Sequence, residues 1–152
     1  MKKEFMEQAI ELAKQAYDND EVPVGAIVVK KGKVIGIGNN KREGRGDVFA
    51  HAEIEAIKEA NKTLNSWKLD ACDLYVTLEP CIMCAGAILQ SRIKNVYFGC
   101  YEPKHGAFGS LIDVSQIENA NHEVNVTGGI YEEECSQLLK DYFKFKRKKK
   151  KV

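Results

Sequence analysis

The sequence predicts an α/β protein, a three-layer α/β/α sandwich around a mixed five-stranded sheet. Two observations predict this class: helical and strand patterns alternate along the chain, and a hairpin comes first with strand–helix units after it. Hairpins pair antiparallel strands and strand–helix–strand units pair parallel ones, so a chain with both should form a mixed sheet covered by helices. The 152 residues are enough for one core, and we predict a single domain over 1–152.

Each predicted element rests on a local pattern. Residues 2–18 carry an apolar stripe at helical spacing, whereas residues 24–29 and 34–38 are β-rich runs on either side of a Lys-Gly turn. Pro80 is tolerated in a first helical turn and is therefore predicted to open a helix. The predicted elements are, in order, a helix over 2–18, strands over 24–29 and 34–38, a helix over 52–61, a strand over 73–77, a helix from Pro80 to about Ser91, strands over 95–99 and 121–126, and a closing helix over 131–148.

Aromatic residues are assigned to packing rather than to ligand binding. Trp67 lies in the predicted connection 62–70 and is expected to cover the core, because aromatic side chains usually pack. Tyr142 and Phe143 lie at core spacing in the last predicted helix and are expected to anchor that helix on the sheet.

The composition argues against several classes of protein. Hydrophobic residues make up 44% and charged residues 30%, which is unlike a disordered chain or a membrane protein. No run approaches the roughly 18 apolar residues of a membrane span, and the charged N-terminal residues lack the apolar core of a signal peptide. The five cysteines, an odd number, are therefore expected in a reducing cytoplasm as metal ligands or packed thiols. Cys72, Cys100 and Cys135 are assigned to packing.

Charge is distributed unevenly along the chain. Residues 140–152 contain eight Lys or Arg and one Asp, a net charge of +7, whereas the whole chain carries only +1. The rest of the protein is therefore acidic, at −6, and we predict a basic C-terminal tail over about 144–152. A basic tail on an acidic body favours contact with phosphates, and a tail that only improves solubility is the alternative.

Two short motifs, His51-Ala52-Glu53 and Pro80-Cys81-Ile82-Met83-Cys84, contain the residue types of a catalytic zinc site. One imidazole and two thiolates hold such an ion and leave one coordination position open, so His51, Cys81 and Cys84 are the predicted ligands. Glu53 is predicted to move protons rather than to bind the metal. A lone CxxC motif is often a redox pair, but an HxE motif thirty residues before a PCxxC motif is typical of zinc deaminases.

Beyond these motifs, the chain resembles the bacterial tRNA-specific adenosine deaminases, the TadA family within the cytidine-deaminase-like superfamily. The likeness spans about residues 21–148, which is nearly the whole chain. Further segments distinguish this family from the free-base and nucleoside deaminases of the superfamily. They are Glu21-Val22-Pro23-Val24-Gly25-Ala26, Thr77-Leu78-Glu79-Pro80-Cys81, Met83-Cys84-Ala85-Gly86-Ala87, Ser91-Arg92-Ile93 and Gly109-Ser110-Leu111.

The resemblance implies hydrolytic deamination of adenosine to inosine at the wobble position, the first anticodon base, of tRNA. The usual bacterial substrate is an arginine tRNA with anticodon ACG, so the expected partner is a tRNA anticodon stem-loop. The resemblance also implies one Zn²⁺ per subunit and a zinc-activated water that attacks C6 with Glu53 as the proton shuttle. We further expect a homodimer with neither membrane contact nor an organic cofactor.

Five residues are predicted to contact the substrate. Asn40 falls where the family has an asparagine that contacts the target nucleotide, and Ala52 lies between the predicted ligand and the predicted shuttle. Glu102 stands where relatives commonly have Asp, so a contact there is expected to reach one methylene further. Lys104 and Arg147 are expected to contact phosphates, which adds salt-dependent affinity without sequence preference.

Two other functions remain open from the sequence. One is deamination of a free base or nucleoside, such as guanine or cytosine, although the basic tail and the further segments favour RNA. The other is a non-catalytic, zinc-stabilised RNA-binding subunit, and Glu53 argues against it because zinc binding needs no carboxylate there. We therefore predict a zinc-dependent tRNA adenosine deaminase, a hydrolase acting on a C–N bond.

Overall fold

The fold is described from a computed structural model, which describes residues 1–118, 120 and 122–150. The predicted start of the fifth strand at Asn121 and the end of the predicted tail, Lys151 and Val152, lie outside the described residues. The elements are α1 (Lys3–Asp18), β1 (Gly25–Lys30), β2 (Lys33–Asn39), α2 (Arg42–Arg45), α3 (Ala52–Leu64), β3 (Cys72–Leu78), α4 (Ile82–Gln90), β4 (Asn95–Cys100), a 3₁₀ turn (Val114–Gln116), β5 (Asn125–Thr127) and α5 (Glu132–Lys150).

The five strands form one mixed sheet in the order β2-β1-β3-β4-β5. Strand β1 pairs antiparallel with both β2 and β3, whereas β3, β4 and β5 run parallel. The hairpin accounts for the antiparallel pair β1–β2, and helix α4, which lies between β3 and β4 in the chain, forms the crossover that makes these two strands parallel. The predicted mixed five-stranded sheet is confirmed.

Helices cover both faces of the sheet, which confirms the predicted three layers. Alternate residues of a strand point to opposite faces, so β1 and β3 each contribute to two cores. Helices α3 and α4 pack on one face with Val28, Leu74 and Val76. Helices α1 and α5 pack on the other face with Ile27, Val29 and Tyr75.

Helix α3 lies very close to strand β2 because the strand presents two glycines to it. A Cβ atom at Gly36 would overlap the carbonyl oxygen of Ala56, and one at Gly38 would overlap that of Ala52. Backbones can approach this closely only where no side chain intervenes. The contact at Gly38 places the first turn of α3, which carries Glu53, at the end of the sheet where β1 begins.

The connection after α3 differs from the prediction. Helix α3 continues to Leu64 and ends where Asn65 adopts a left-handed conformation, with φ of 49°. In the segment that follows, the side chain of Leu69 is fully buried, whereas that of Trp67 is 58% exposed. The prediction that Trp67 covers the core is therefore wrong.

Two further element predictions need correction. The CxxC helix begins at Ile82 and not at Pro80, because the Pro80 carbonyl accepts the Ala107 N–H instead of a helical one. Strand β5 spans only Asn125–Thr127, since its pairing with β4 is limited to three residues.

The closing helix is anchored by only one of its two predicted aromatic residues. Tyr142 is buried, packs edge-on against Tyr17 and donates a hydrogen bond to the Asp20 carbonyl, whereas Phe143 is 46% exposed. Adjacent helical positions lie about 100° apart, so only one of the two can face the sheet.

Candidate active site and metal centre

The two predicted motifs meet at the end of the sheet where α3 and α4 begin. His51 occupies the position just before α3 and Cys81 the position just before α4, both with extended backbone. The Nδ1 atom of His51 lies 3.7 Å from the Cys81 Sγ and 3.5 Å from the Cys84 Sγ. The ligand atoms of these three residues all lie within 4.8 Å of one another.

This donor set fits a zinc ion. One imidazole nitrogen and two sulfur atoms are a known ligand set for a catalytic zinc site, and two thiolates favour zinc over harder divalent ions. The amides of a helix N-terminus stabilise thiolate, the form of cysteine that binds metal. The residues that the structure gathers here therefore match the chemistry of the ion.

Contacts among Cys81, Cys84 and His51 shift the pKa of each of these side chains. Hydrogen bonds from Cys84 and then from His51 lower the pKa of Cys81 to about 3. The same contact raises the pKa of Cys84 well above its usual range, and the hydrogen bond to Cys81 raises the pKa of His51. The contact between the two cysteines therefore favours the thiolate form of Cys81.

Glu53 lies in the first turn of α3, beside this group and not within it. Its side chain is buried at 4% exposure, and burial raises the pKa of its carboxyl group to about 7. The Cys81 thiolate acts in the same direction, while hydrogen bonds from its own backbone N–H and from Cys84 act against it. A carboxyl group with a pKa near neutrality can both accept and donate a proton.

A cleft of about 480 Å³ opens above these residues. Three of the five predicted substrate contacts, Asn40, Ala52 and Glu102, line it together with His51, Glu53 and Cys81. The Oδ1 atom of Asn40 is buried and has no hydrogen-bond partner within the described part of the chain. A buried acceptor without a partner is costly, so this atom is suited to receive a donor from a bound molecule.

The other two predicted contacts lie outside the lining of the cleft. Lys104 is exposed, and its backbone N–H donates to the carboxylate of Glu102, which lines the cleft. Arg147 is exposed near the end of α5, one residue after Lys146, which pairs with Asp20 at 2.8 Å. Both cations are therefore exposed, and neither lines the cleft.

Sequence reasoning missed a third cation, Arg42, which does line the cleft. The hydrogen bond to Cys81 raises the pKa of His51, and the charge of Arg42 opposes this only weakly. Arg45, three residues further on, pairs with Glu55, whereas Arg42 forms no ion pair among the described residues. Only its position in the loop before His51 could have pointed to it.

A second residue that sequence reasoning left without a role is Glu79. In the sequence it is one residue of the segment Thr77-Leu78-Glu79-Pro80-Cys81, yet the structure buries it at 2% exposure beside the cleft. Nothing in the local sequence indicates this role, because the groups that bond to it lie 23 to 31 residues further along the chain.

Comparison with known proteins first gives the class of the chain. The MafB19-like deaminase family model matches residues 1–147, so the fold and the site belong to a deaminase. A tRNA-specific adenosine deaminase of Bacillus subtilis is 46% identical over 148 residues, covering 97% of this chain and 92% of that protein. The chain belongs to the family of bacterial tRNA-specific adenosine deaminases, as its resemblance implied.

Solved structures agree with this assignment. A structure from a study of A-to-I editing by tRNA:A34 deaminases at the wobble position of transfer RNA matches with a TM-score of 0.88 and 41% identity. The match covers 91% of this chain and all of the other. A guanine deaminase from Nitrosomonas europaea shares the fold at a TM-score of 0.79 and 26% identity, covering 93% of this chain and 84% of that one.

Proposed function

We propose that this protein is a zinc-dependent hydrolase that converts adenosine to inosine at the first anticodon base of tRNA. The observation that carries the proposal is the buried Glu53 carboxylate beside the His51, Cys81 and Cys84 group at the cleft. Membership of the tRNA-specific adenosine deaminases supports the choice of substrate. Glu53 has no place in a site that only binds zinc.

Zinc held by His51, Cys81 and Cys84 would supply a Lewis acid that lowers the pKa of a water molecule. Glu53 takes a proton from the attacking water and delivers it to N1 of adenine as oxygen adds to C6. Glu53 then transfers the remaining hydroxyl proton to the amino group, and the C6–N bond breaks to release ammonia. Adenosine and water give inosine and ammonia, and Glu53 returns to its starting state.

The cleft suits a single base removed from its stack. Its volume of about 480 Å³ lies within the range of small-molecule sites. An adenine in a duplex must be unpaired and unstacked to enter it, whereas an anticodon loop already presents unpaired bases. We therefore propose an anticodon stem-loop as the substrate and, from the family resemblance, the arginine tRNA with anticodon ACG as the principal one.

We expect Asn40→Ala to raise KM for the RNA substrate by about 10-fold with little change in kcat, because a donor of the bound nucleotide loses its acceptor. Steady-state deamination kinetics measure this. Asn39→Ala is the matched control: Asn39 is equally buried, but its Nδ2 already donates to the Leu12 carbonyl at 3.0 Å. That control should lose stability and keep its KM; a normal KM for Asn40→Ala would remove Asn40 from the binding site.

The basic end of α5 is proposed to contact RNA phosphates. It lies near the cleft, because Lys146 pairs with Asp20, and Val22, two residues after Asp20, lines the cleft. Replacing Arg147, Lys148 and Lys149 by Gln is expected to weaken hairpin binding about 10-fold at 50 mM salt and to flatten its salt dependence. Binding titrations at several salt concentrations measure both quantities.

The control for this triple variant removes three exposed lysines from the end of the sheet opposite the cleft. Lys31 and Lys33 lie at the turn of the β1–β2 hairpin, and Lys62 lies in the last turn of α3. Replacing these three by Gln changes net charge equally but should leave the salt dependence nearly unaltered. Equal losses in both variants would mean that only overall charge matters, and no loss in either would leave the tail a solubility feature.

The proposal includes a homodimer that works in the cytoplasm, where tRNA is found. Val48, Ile82 and Leu111 line the cleft yet are each more than 60% exposed. Exposed apolar side chains around a cleft favour a macromolecular partner over free solvent. The proposed dimer is supported by the family resemblance and by this apolar rim. Among the described residues, no helix is long and apolar enough to cross a membrane.

The experiment that tests the substrate class measures ammonia released by the zinc-loaded protein from four substrates. They are an ACG anticodon hairpin, free adenosine, guanine and cytosine. We expect release from the hairpin alone. Because a guanine deaminase shares the fold, release from guanine and not from RNA would assign the protein to the free-base branch instead.

A further inference from the structure

The buried carboxylate of Glu79 gathers four hydrogen bonds from a single stretch of chain. Its Oε1 atom accepts from the Glu102 N–H at 3.1 Å and from the Ser110 hydroxyl. Its Oε2 atom accepts from the Phe108 N–H at 3.0 Å and the Ser110 N–H at 3.1 Å. All four donors lie between residues 102 and 110, a segment without a helix or strand of its own.

This segment forms one side of the cleft. We call residues 101–112 the wall loop, since Glu102, His105, Leu111 and Ile112 in it line the cleft. Its own backbone adds bonds from Gly106 N–H to the Glu102 carbonyl and from Leu111 N–H to the Gly106 carbonyl, both 2.8 Å. The loop is therefore held in two ways: Ala107 and Phe108 are buried in the apolar core, and backbone N–H groups of the loop donate to Glu79.

The four donors around Glu79 require a side chain that only accepts hydrogen bonds, as an ionised carboxylate does. A carboxylate offers about four lone-pair positions, and four donors occupy them, which leaves none for a substrate. A glutamine at the same place would point an NH₂ group at N–H donors. The loop also wraps closely, because a Cβ atom at Gly106 would overlap the Glu79 carboxylate.

We infer that Glu79 is a positioning residue, which shapes the wall loop and thereby sets the affinity of the cleft for the substrate. It acts through Glu102, His105, Leu111 and Ile112, without taking part in the proton transfers. The inference rests on the proposed function only for the identity of the substrate. The same loop would shape the cleft for any base that enters it.

Two substitutions test this role. Glu79→Gln keeps size and should raise KM for the hairpin by about 10-fold or more, with kcat within about 3-fold and zinc content unchanged. Ser110→Ala removes the hydroxyl donor alone and should raise KM by about 3-fold, with no added effect in the Glu79→Gln background, because both act through one network.

Hydrogen exchange supplies a readout that does not depend on the substrate. The amides of Phe108 and Ser110 donate to Glu79, so peptides covering 101–112 should exchange faster in Glu79→Gln than in the wild type. Asp113→Asn is the matched control. Asp113 follows the wall loop and does not line the cleft, and its carboxylate accepts from Ser115, so this variant should keep both KM and the exchange of residues 101–112.

The outcomes separate cleanly. Unchanged exchange in Glu79→Gln, or faster exchange with a normal KM, would overturn the inference. Loss of zinc with a fall in kcat would also overturn it, because Glu79 would then support the metal centre. If the wild type does not act on RNA, the proposed function fails, while exchange and the KM for whichever base is deaminated still report on Glu79.

Discussion

Glu53→Gln is expected to lower kcat by about 100- to 10,000-fold while zinc content and hairpin affinity stay near wild type. Glutamine matches glutamate in size but cannot take a proton from water or return it to adenine. The carboxylate lies beside His51, Cys81 and Cys84, which we call the metal-ligand group, and does not belong to it. Its removal therefore leaves the three proposed ligands in place. Single-turnover deamination of the hairpin measures the chemical step directly.

The matched control for Glu53→Gln is Glu59→Gln, the same chemical change on the exposed side of the same helix. This control should keep full activity. Zinc analysis and a binding titration on both variants separate lost chemistry from lost binding. A Glu53→Gln protein that turns over at a near-normal rate would contradict the shuttle role outright.

Cys84→Ser is expected to abolish zinc binding and activity together. Cys84 is fully buried, 3.5 Å from the His51 ring nitrogen, and a serine hydroxyl is a poor ligand compared with a thiolate. Because metal binding stabilises the folded chain, a site saturated at about 1,000 times its Kd contributes about 4 kcal/mol to the free energy of unfolding. The variant should lack that contribution.

Chelator treatment supplies the comparison for Cys84→Ser. The melting temperature of the wild type should fall when zinc is removed, and that of the variant should not. Cys72→Ser is the control: Cys72 is equally buried, but its Sγ faces the Asp70 carbonyl at 3.6 Å, away from the metal-ligand group. A Cys84→Ser protein that retains stoichiometric zinc would remove Cys84 from the ligand set.

The meeting of His51, Cys81 and Cys84 was predictable because its information is local. A histidine and a CxxC pair need only sit at two helix starts, and the polar and apolar periods of the chain place those helices within a few residues. The sheet followed equally well, since hairpins and strand–helix units leave few pairings to choose from. Errors of a residue or two, as at Pro80, did not change which side chains meet.

Three cleft residues were predicted from the resemblance, but how the walls of the cleft fold was not predictable, because distant residues hold them. Helix α2 is only four residues long and has no helical pattern; the buried Glu21 carboxylate accepts the N–H groups of Glu43 and Gly44. The wall loop depends in the same way on Glu79. Such contacts join residues more than 20 positions apart, and no period or spacing in one sequence reveals them.

The most direct measurement is the position of inosine in an ACG anticodon hairpin after incubation with the zinc-loaded protein. We predict inosine at the first anticodon base, none at other adenosines, and none anywhere with Glu53→Gln. Ammonia from a free base with no inosine in the hairpin, or inosine formed equally by Glu53→Gln, would contradict it.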